Sequence, residues 1–342
     1  MKTKVVSLAL QGGGSHGAFT WGVLDRLLEE ERVALDGISG ASAGAINAAV
    51  LAHGLTEDGR AGARAALARF WESVMTNPPF DVRTHGGASA PGASNPVVES
   101  LLMMSRFLSP YQFNPLNVNP LRELLASQID FGRLRAQRKL ELFIAATEVG
   151  SGMPRIFRTR ELTLDMLLAS ACVPSLHHPV DIDGVAYWDG GLTANPPLRS
   201  LLYQCEAADI LIVLLQPSRR LETPKTAEDI WRRFNEISFS SALFSELQGI
   251  ALAKQEAERH PLPSVGRLER RLKRLNMHCI SPPEAVGRMH PLSRLDTHSA
   301  LIKMLHREGR EQAGAWLEEN FQLIGKRSTF SFAPHLIPAP VG

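Results

Sequence analysis

Residues 5–10 are apolar except for Ser7, which predicts a short strand buried on both faces. Over residues 18–30 the period changes. Leu24, Leu27 and Leu28 share one face while Asp25, Arg26, Glu29 and Glu30 take the other, the mark of an amphipathic helix. "VALDGIS" reads as a second short strand. Residues 43–53, "AGAINAAVLAH", read as an alanine-rich helix with little on it to face water. Leu67, Phe70, Trp71 and Val74 fall at i, i+3, i+4 and i+7 and mark a third helix.

Residues 76–118 break this rhythm with Pro, Gly, Ser and Asn around the apolar "VVESLLMMSRFL". A stretch of that kind predicts a lid or insert. Met103, Met104, Phe107, Leu108, Tyr111 and Phe113 are candidates for an apolar cover, with ordinary core as the alternative. Regular pattern then resumes. "LELFIAATEV" (140–149) and "PRIFRT" read as strands, and "LTLDMLLASACVP" as a helix stopped by Pro174. "VDIDGVAYW" reads as a hairpin turning at Asp183-Gly184, the dipeptide a type I′ turn favours. "ADILIVLL" (208–215) is one more buried strand. Beyond about residue 225 the expectation is mainly helical, and Arg267, Arg270, Arg271, Lys273 and Arg274 read as a solvated helix face. Strands alternating with helices predict a layered α/β fold.

Composition narrows the class. An apolar fraction of 44% with 21% charged residues is that of a globular protein able to bury a sizeable core. A net charge of +2 makes no electrostatic case for nucleic acid. Cys172, Cys205 and Cys279 are too widely spaced for a disulfide framework or a C-x-x-C metal site, so a reducing compartment is expected. No stretch approaches the roughly 20 apolar residues of a membrane span, and residues 5–10 are too short for a signal-peptide core. The expectation is a cytoplasmic protein, compatible with peripheral contact at a membrane surface. Composition does not address oligomeric state.

Two glycine motifs carry the candidate chemistry. Gly12, Gly14 and Gly17 have the spacing G-x-G-x-x-G between the first strand and the first helix, and Asp36 follows where a dinucleotide-binding fold places its ribose-binding acid. One reading is therefore an NAD(P)-dependent oxidoreductase. The second motif is Gly40-Ala41-Ser42-Ala43-Gly44, the G-x-S-x-G nucleophile elbow. Gly87-Ala88-Ser89-Ala90-Pro91 misses it by one residue and has neither a strand before it nor a helix after it; Ser42 has both. A neighbouring strand would deliver Ser42 beside Gly12, Gly13 and Gly14, whose N–H groups at a helix start suit the oxyanion of an attacked ester. Asp189, before Gly190 and Gly191 at the end of the hairpin, is a candidate base in a tight turn. A triad with His290, His177 or His178 is the alternative arrangement. Asp181 and Asp183 lack the later bidentate Glu of an EF-hand, and the chemistry calls for no metal and no cofactor.

"GGGSHG", "GASAG" and "DGG", in that order, with "ASACVPSLHHPV" and "DGGLTANPP", resemble the patatin-like phospholipase family over roughly residues 5–215. The resemblance implies a three-layer α/β/α sandwich around a mostly parallel sheet. It also implies hydrolysis of lipid acyl esters by a Ser-Asp dyad, with Ser42 as nucleophile, Asp189 as base and Gly12, Gly13 and Gly14 lining the oxyanion hole. His16, Gly17, Gly40, Gly44, Gly190 and Gly191 support these motifs. Residues 1–225 would form the catalytic domain and 226–342 a mainly helical region packed on it. A non-catalytic binding protein of the same family is a further alternative. The family usually has Arg or Lys where this chain has His16, a titratable group in place of a permanent cation. At a helix start, His16 is expected to face solvent.

Overall fold

A computed structural model describes residues 3–76, 108–216, 223–259, 266–287, 289 and 291–330. The strands are β1 (Lys4–Leu10), β2 (Val33–Ala41), β3 (Glu141–Glu148), β4 (Pro154–Arg158), β5 (Val180–Ile182), β6 (Val185–Asp189), β7 (Asp209–Val213) and β8 (Asn276–Ile280). They join one 8-stranded sheet in the order β5-β6-β3-β2-β1-β7-β8, with β4 also on β3. From β3 to β8 along that order every pairing is parallel, whereas β4 and β6 run antiparallel to β3.

Helices cover both faces, which is why β1 and β7 are continuous apolar runs. On one face lie α1 (Gly17–Glu29), α2 (Ala43–Thr76), α3 (Pro120–Gln128), α4 (Phe131–Ala136) and α5 (Leu164–Ser170). α6 (Leu198–Gln204), α7 (Ala227–Arg259) and α8 (Arg267–Arg274) lie on the other, and α9 (Ser299–Asn320) returns to the first. Phe19, Leu24, Leu67, Trp71 and Leu305 belong to one core; Phe143, Leu201, Leu243, Leu247 and Leu272 belong to the second. α1 and α9 approach closely because Gly22 meets the His306 carbonyl and Gly309 the Phe19 carbonyl. Asp25 ties this layer: burial alone would raise its carboxyl, but His306 (3.4 Å), Arg64 (2.5 Å) and Arg310 beside it hold it well below the usual range.

The two helices read between residues 43 and 74 are both present, as the two arms of α2 on either side of a non-helical break at Asp58 and Gly59, whose φ values are −145° and 54°. Other expectations need correction. α5 ends at Ser170, ahead of Pro174. The region after residue 225, read as mainly helical, holds α7, α8 and α9 and also contributes β8, which extends the parallel sheet. "NMHCI" is only five residues long and carries the polar Asn276 and His278, and it fits there because His278, fully buried, bonds Asp209 Oδ1 (2.9 Å) and Thr329 Oγ1 (2.8 Å). The basic run is not all solvated either. Arg271 Nε donates to the Leu202 carbonyl (2.5 Å) and stitches α8 to α6. The hairpin turns as its sequence requires, with φ of 55° at Asp183 and 80° at Gly184. Met103, Met104, Phe107 and Gly87-Ala88-Ser89-Ala90-Pro91 lie outside the described residues, while Tyr111 is exposed and rests on the His178 ring at 4.0 Å.

Candidate active site

β2 ends at Ala41 and α2 begins at Ala43, so Ser42 is the whole connection between them. Its φ is 53°, a left-handed backbone that costs a non-glycine residue on the order of 1–3 kcal/mol and must be held by its surroundings. Ser170, fully buried at the end of α5, supplies the hold: the Ser42 N–H donates to its carbonyl (3.1 Å) and to its Oγ (3.0 Å). The flanking glycines allow the backbone to pass. A Cβ on Gly40 would stand 2.7 Å from the Gly44 carbonyl carbon, and one on Gly44 would strike the Leu10 carbonyl.

Leu10 pairs with Gly40 at the carboxyl ends of β1 and β2, which sets the first glycine loop directly beside the elbow. A Cβ on Gly12 would lie 2.6 Å from the Ala41 carbonyl oxygen and 2.8 Å from Ser42 Cβ. Gln11 pins the loop to β7, its N–H donating to the Val213 carbonyl (3.1 Å) and its Oε1 accepting from Leu215 N (2.7 Å). The three glycines are not equivalent. The Gly12 N–H donates to Asn195 Oδ1 at 2.6 Å, whereas among the described residues no acceptor meets the N–H of Gly13 or Gly14. Gly17 begins α1 against the Ala43 methyl, and its carbonyl accepts from Asn47 Nδ2 (3.0 Å). Both helix starts therefore lie side by side.

Asp189 closes β6 opposite Ala146 of β3, the strand next to β2. Gly190 follows because any side chain there would strike the Ala145 carbonyl. The Asp189 carboxylate is 1% exposed. Its Oδ1 accepts from the Gly191 N–H at 2.7 Å, and its Oδ2 is buried with no hydrogen bond of full geometry among the described residues. Burial pushes the carboxyl up from 3.8 to about 6, opposed by the Gly191 N–H and by the Ser42 side chain, which lies close enough to favour the ionised form. A carboxylate at about 6 approaches imidazole, ordinarily ~6.5, in basicity.

The described histidines near these motifs each have a setting of their own. His16 does not face solvent: it is 5% exposed and its Nε2 lies 2.7 Å from Ser293 Oγ. Burial, and then the positive charge of Arg294, lower it to about 3, so it is neutral at any ordinary pH. His177 is also buried and is lowered to about 4 by burial and by His178. His178 Nε2 lies 3.2 Å from the Pro110 carbonyl, which it can meet only as an N–H donor. His290 lies outside the described residues.

Asp36 does not serve a ribose. It sits toward the start of β2, away from the glycine loop, and its Oδ2 accepts from the N–H groups of Glu206 (2.6 Å) and Ala207 (2.7 Å). The dinucleotide reading loses its acid. An open polar cavity of about 950 Å³ lies elsewhere, between α2 and the α3–α4 segment around His53, Glu57, Arg69 and Asp130. Sequence reasoning assigned no role to Asn195, Ser170 or Ser293, although the first two stand inside the quoted "DGGLTANPP" and "ASACVP" segments.

The chain matches the family described as Patatin-like phospholipase over residues 8–202. It is similar to uncharacterized protein YjjU of Escherichia coli (strain K12), 24% identical over 230 residues that cover 64% of this chain and 54% of that one. It is likewise similar to a cGAMP-activated phospholipase of Vibrio cholerae, 28% identical over 222 residues, covering 58% and 56%. The chain thus spans about half the length of these curated relatives. Among solved structures, VipD from Legionella pneumophila aligns over 93% of this chain and 67% of its own, with 16% identity and a TM-score of 0.43.

Proposed function

The chain belongs to the patatin-like phospholipase family, and from that premise we propose that it hydrolyses acyl esters of phospholipids or lysophospholipids through Ser42 and Asp189. One observation carries this reading. A serine held at φ 53° in an elbow stands by a buried carboxylate whose Oδ2 has no other hydrogen-bond partner among the described residues. Ser42 Oγ attacks the ester carbonyl carbon as its proton passes to Asp189 Oδ2. Negative charge gathers on the carbonyl oxygen, where the N–H groups of Gly13 and Gly14 receive it, each such donor being worth about 3–4 kcal/mol in barrier. Collapse breaks the C–O bond, the leaving alcohol takes the proton, and Ser42 is left acylated. Water then attacks the acyl-serine with Asp189 again as base, releasing a fatty acid.

Burial supports a carboxylate in this role. An ordinary aspartate is a poorer base than imidazole by about 3.5 kcal/mol of driving force, and a carboxyl raised to about 6 recovers most of that gap. Peripheral contact with a lipid surface belongs to the same reading, supported by the exposed Ile230, Phe234 and Ile237 on α7, the helix whose Phe239 ring packs on Gly191. Among the described residues no helix is long and apolar enough to cross a membrane.

Fatty-acid release from phosphatidylcholine vesicles, lysophosphatidylcholine micelles, diacylglycerol and p-nitrophenyl butyrate tests the proposal. The wild-type chain should cleave at least one of the two phospholipid substrates, and Ser42→Ala should lose activity by about 10³-fold or more. Undiminished hydrolysis by Ser42→Ala, or a folded wild type inert toward all four, would overturn it.

A further inference from the structure

The turn that follows Asp189 folds back toward the elbow. The N–H groups of Thr193 and Ala194 donate to the Gly190 carbonyl (3.2 and 2.9 Å). Thr147 Oγ1 donates to the Asp189 carbonyl (2.8 Å) and lies 2.9 Å from Thr193 Oγ1. Ala194 packs with Ala41 and Ala145, which sets it beside the end of β2. Asn195 comes next and is fully buried. Its Oδ1 accepts from the Gly12 N–H (2.6 Å), and its Nδ2 donates to the Phe239 carbonyl on α7 (3.2 Å). β6, which ends in Asp189, and β1, which feeds the glycine loop, stand three strand positions apart, about 14 Å. Asn195 is a direct link between the Asp189 turn and that loop.

The loop needs such a link. Three successive glycines form a weakly restrained backbone, whereas oxyanion donors work by being held in place before the charge appears. Gln11 fixes the entrance of the loop to β7, and Asn195 fixes its first glycine. Asparagine suits the position because one planar amide presents an acceptor to the Gly12 N–H and a donor to the Phe239 carbonyl. Resting on the reading of Gly13 and Gly14 as oxyanion donors, we propose that Asn195 is a positioning residue for acyl transfer, locking Gly12 to the Asp189 turn so that the next two N–H groups face the developing oxyanion. Without its amide the loop can turn those donors aside, and a misplacement of about 1 Å costs on the order of 100-fold in rate. The uncharged ester asks less of the donors than the oxyanion does, so the loss should fall on kcat rather than on KM.

Asn195→Ala and Asn195→Leu in the full chain test this, the second keeping the bulk of the side chain. On a p-nitrophenyl ester, kcat should fall roughly 10- to 100-fold with KM within about threefold of wild type. An alkyl trifluoromethyl ketone adds to a serine as a hemiketal oxyanion, so its inhibition constant should rise by the factor that kcat/KM loses. The climb of kcat/KM with pH should keep its midpoint at about 6, because Asp189 retains its Gly191 N–H. Melting temperatures show whether the variants are folded. An unchanged kcat, a lower kcat with an unchanged inhibition constant, or a displaced midpoint would overturn the proposal. Failure of both variants to fold would overturn it too, assigning Asn195 to the fold alone. A fully active Ser42→Ala would instead overturn the reading on which it rests.

Discussion

Asp189→Asn is the substitution for which function and stability should part most clearly. The rise of the carboxyl from 3.8 to about 6 corresponds to about 3 kcal/mol against the buried charge. The unfolded chain ionises near pH 3.8 and the folded chain near 6. The penalty is therefore absent below pH 3.8, accrues between 3.8 and 6, and is constant above. Asparagine keeps an oxygen for the Gly191 N–H and carries no charge, while its amide nitrogen, buried where Oδ2 was, takes back about 1 kcal/mol. The variant should be more stable than wild type by about 2 kcal/mol at pH 8, a rise in melting temperature of about 3–6 °C, and should gain nothing at pH 4. It should also lose turnover. Thermal unfolding of both proteins at pH 4, 5, 6 and 8 reads the difference. A variant less stable than wild type at pH 8, or a gap that does not change with pH, would refute the reasoning.

Other outcomes follow from the same geometry. For the wild type, kcat/KM should climb with pH through about 6 and level off above it, because only ionised Asp189 accepts the Ser42 proton; a pH–rate profile on a soluble ester checks this. Ser42→Gly should raise stability to urea by about 1 kcal/mol by relieving the strained φ, while abolishing fluorophosphonate labelling. Asp36→Ala strands the N–H groups of Glu206 and Ala207 and should cost about 1–3 kcal/mol in urea unfolding, with kcat unchanged, and NADH should not shift the melting temperature of the wild type.

What could be read beforehand was mostly local. The elbow follows from backbone sterics within five residues, and the Asp183-Gly184 turn from the φ values its two central residues must adopt. The strands β1 and β7 follow from apolar runs that only a doubly covered sheet accommodates. What escaped depends on contacts between distant parts of the chain. Nothing in the vicinity of His16 announces that Ser293 will cover it, and a helix-start histidine without that cover would face water. β8 escaped because its polar His278 is satisfied by Asp209 and Thr329 on other segments. The glycine spacing admitted two ligands because a loop feeding a helix start favours any anion. The strand register, which sets Gly12 against Ser42 and sends Asp36 toward the other end of β2, separates them.

The central claim is that Ser42 becomes acylated. Mass spectrometry of the chain quenched during turnover of a slow p-nitrophenyl ester tests it most directly. One acyl group should appear on the peptide that contains Ser42, and none should appear on Ser42→Ala. An acyl group on any other residue, or an unaltered adduct in Ser42→Ala, would contradict the account.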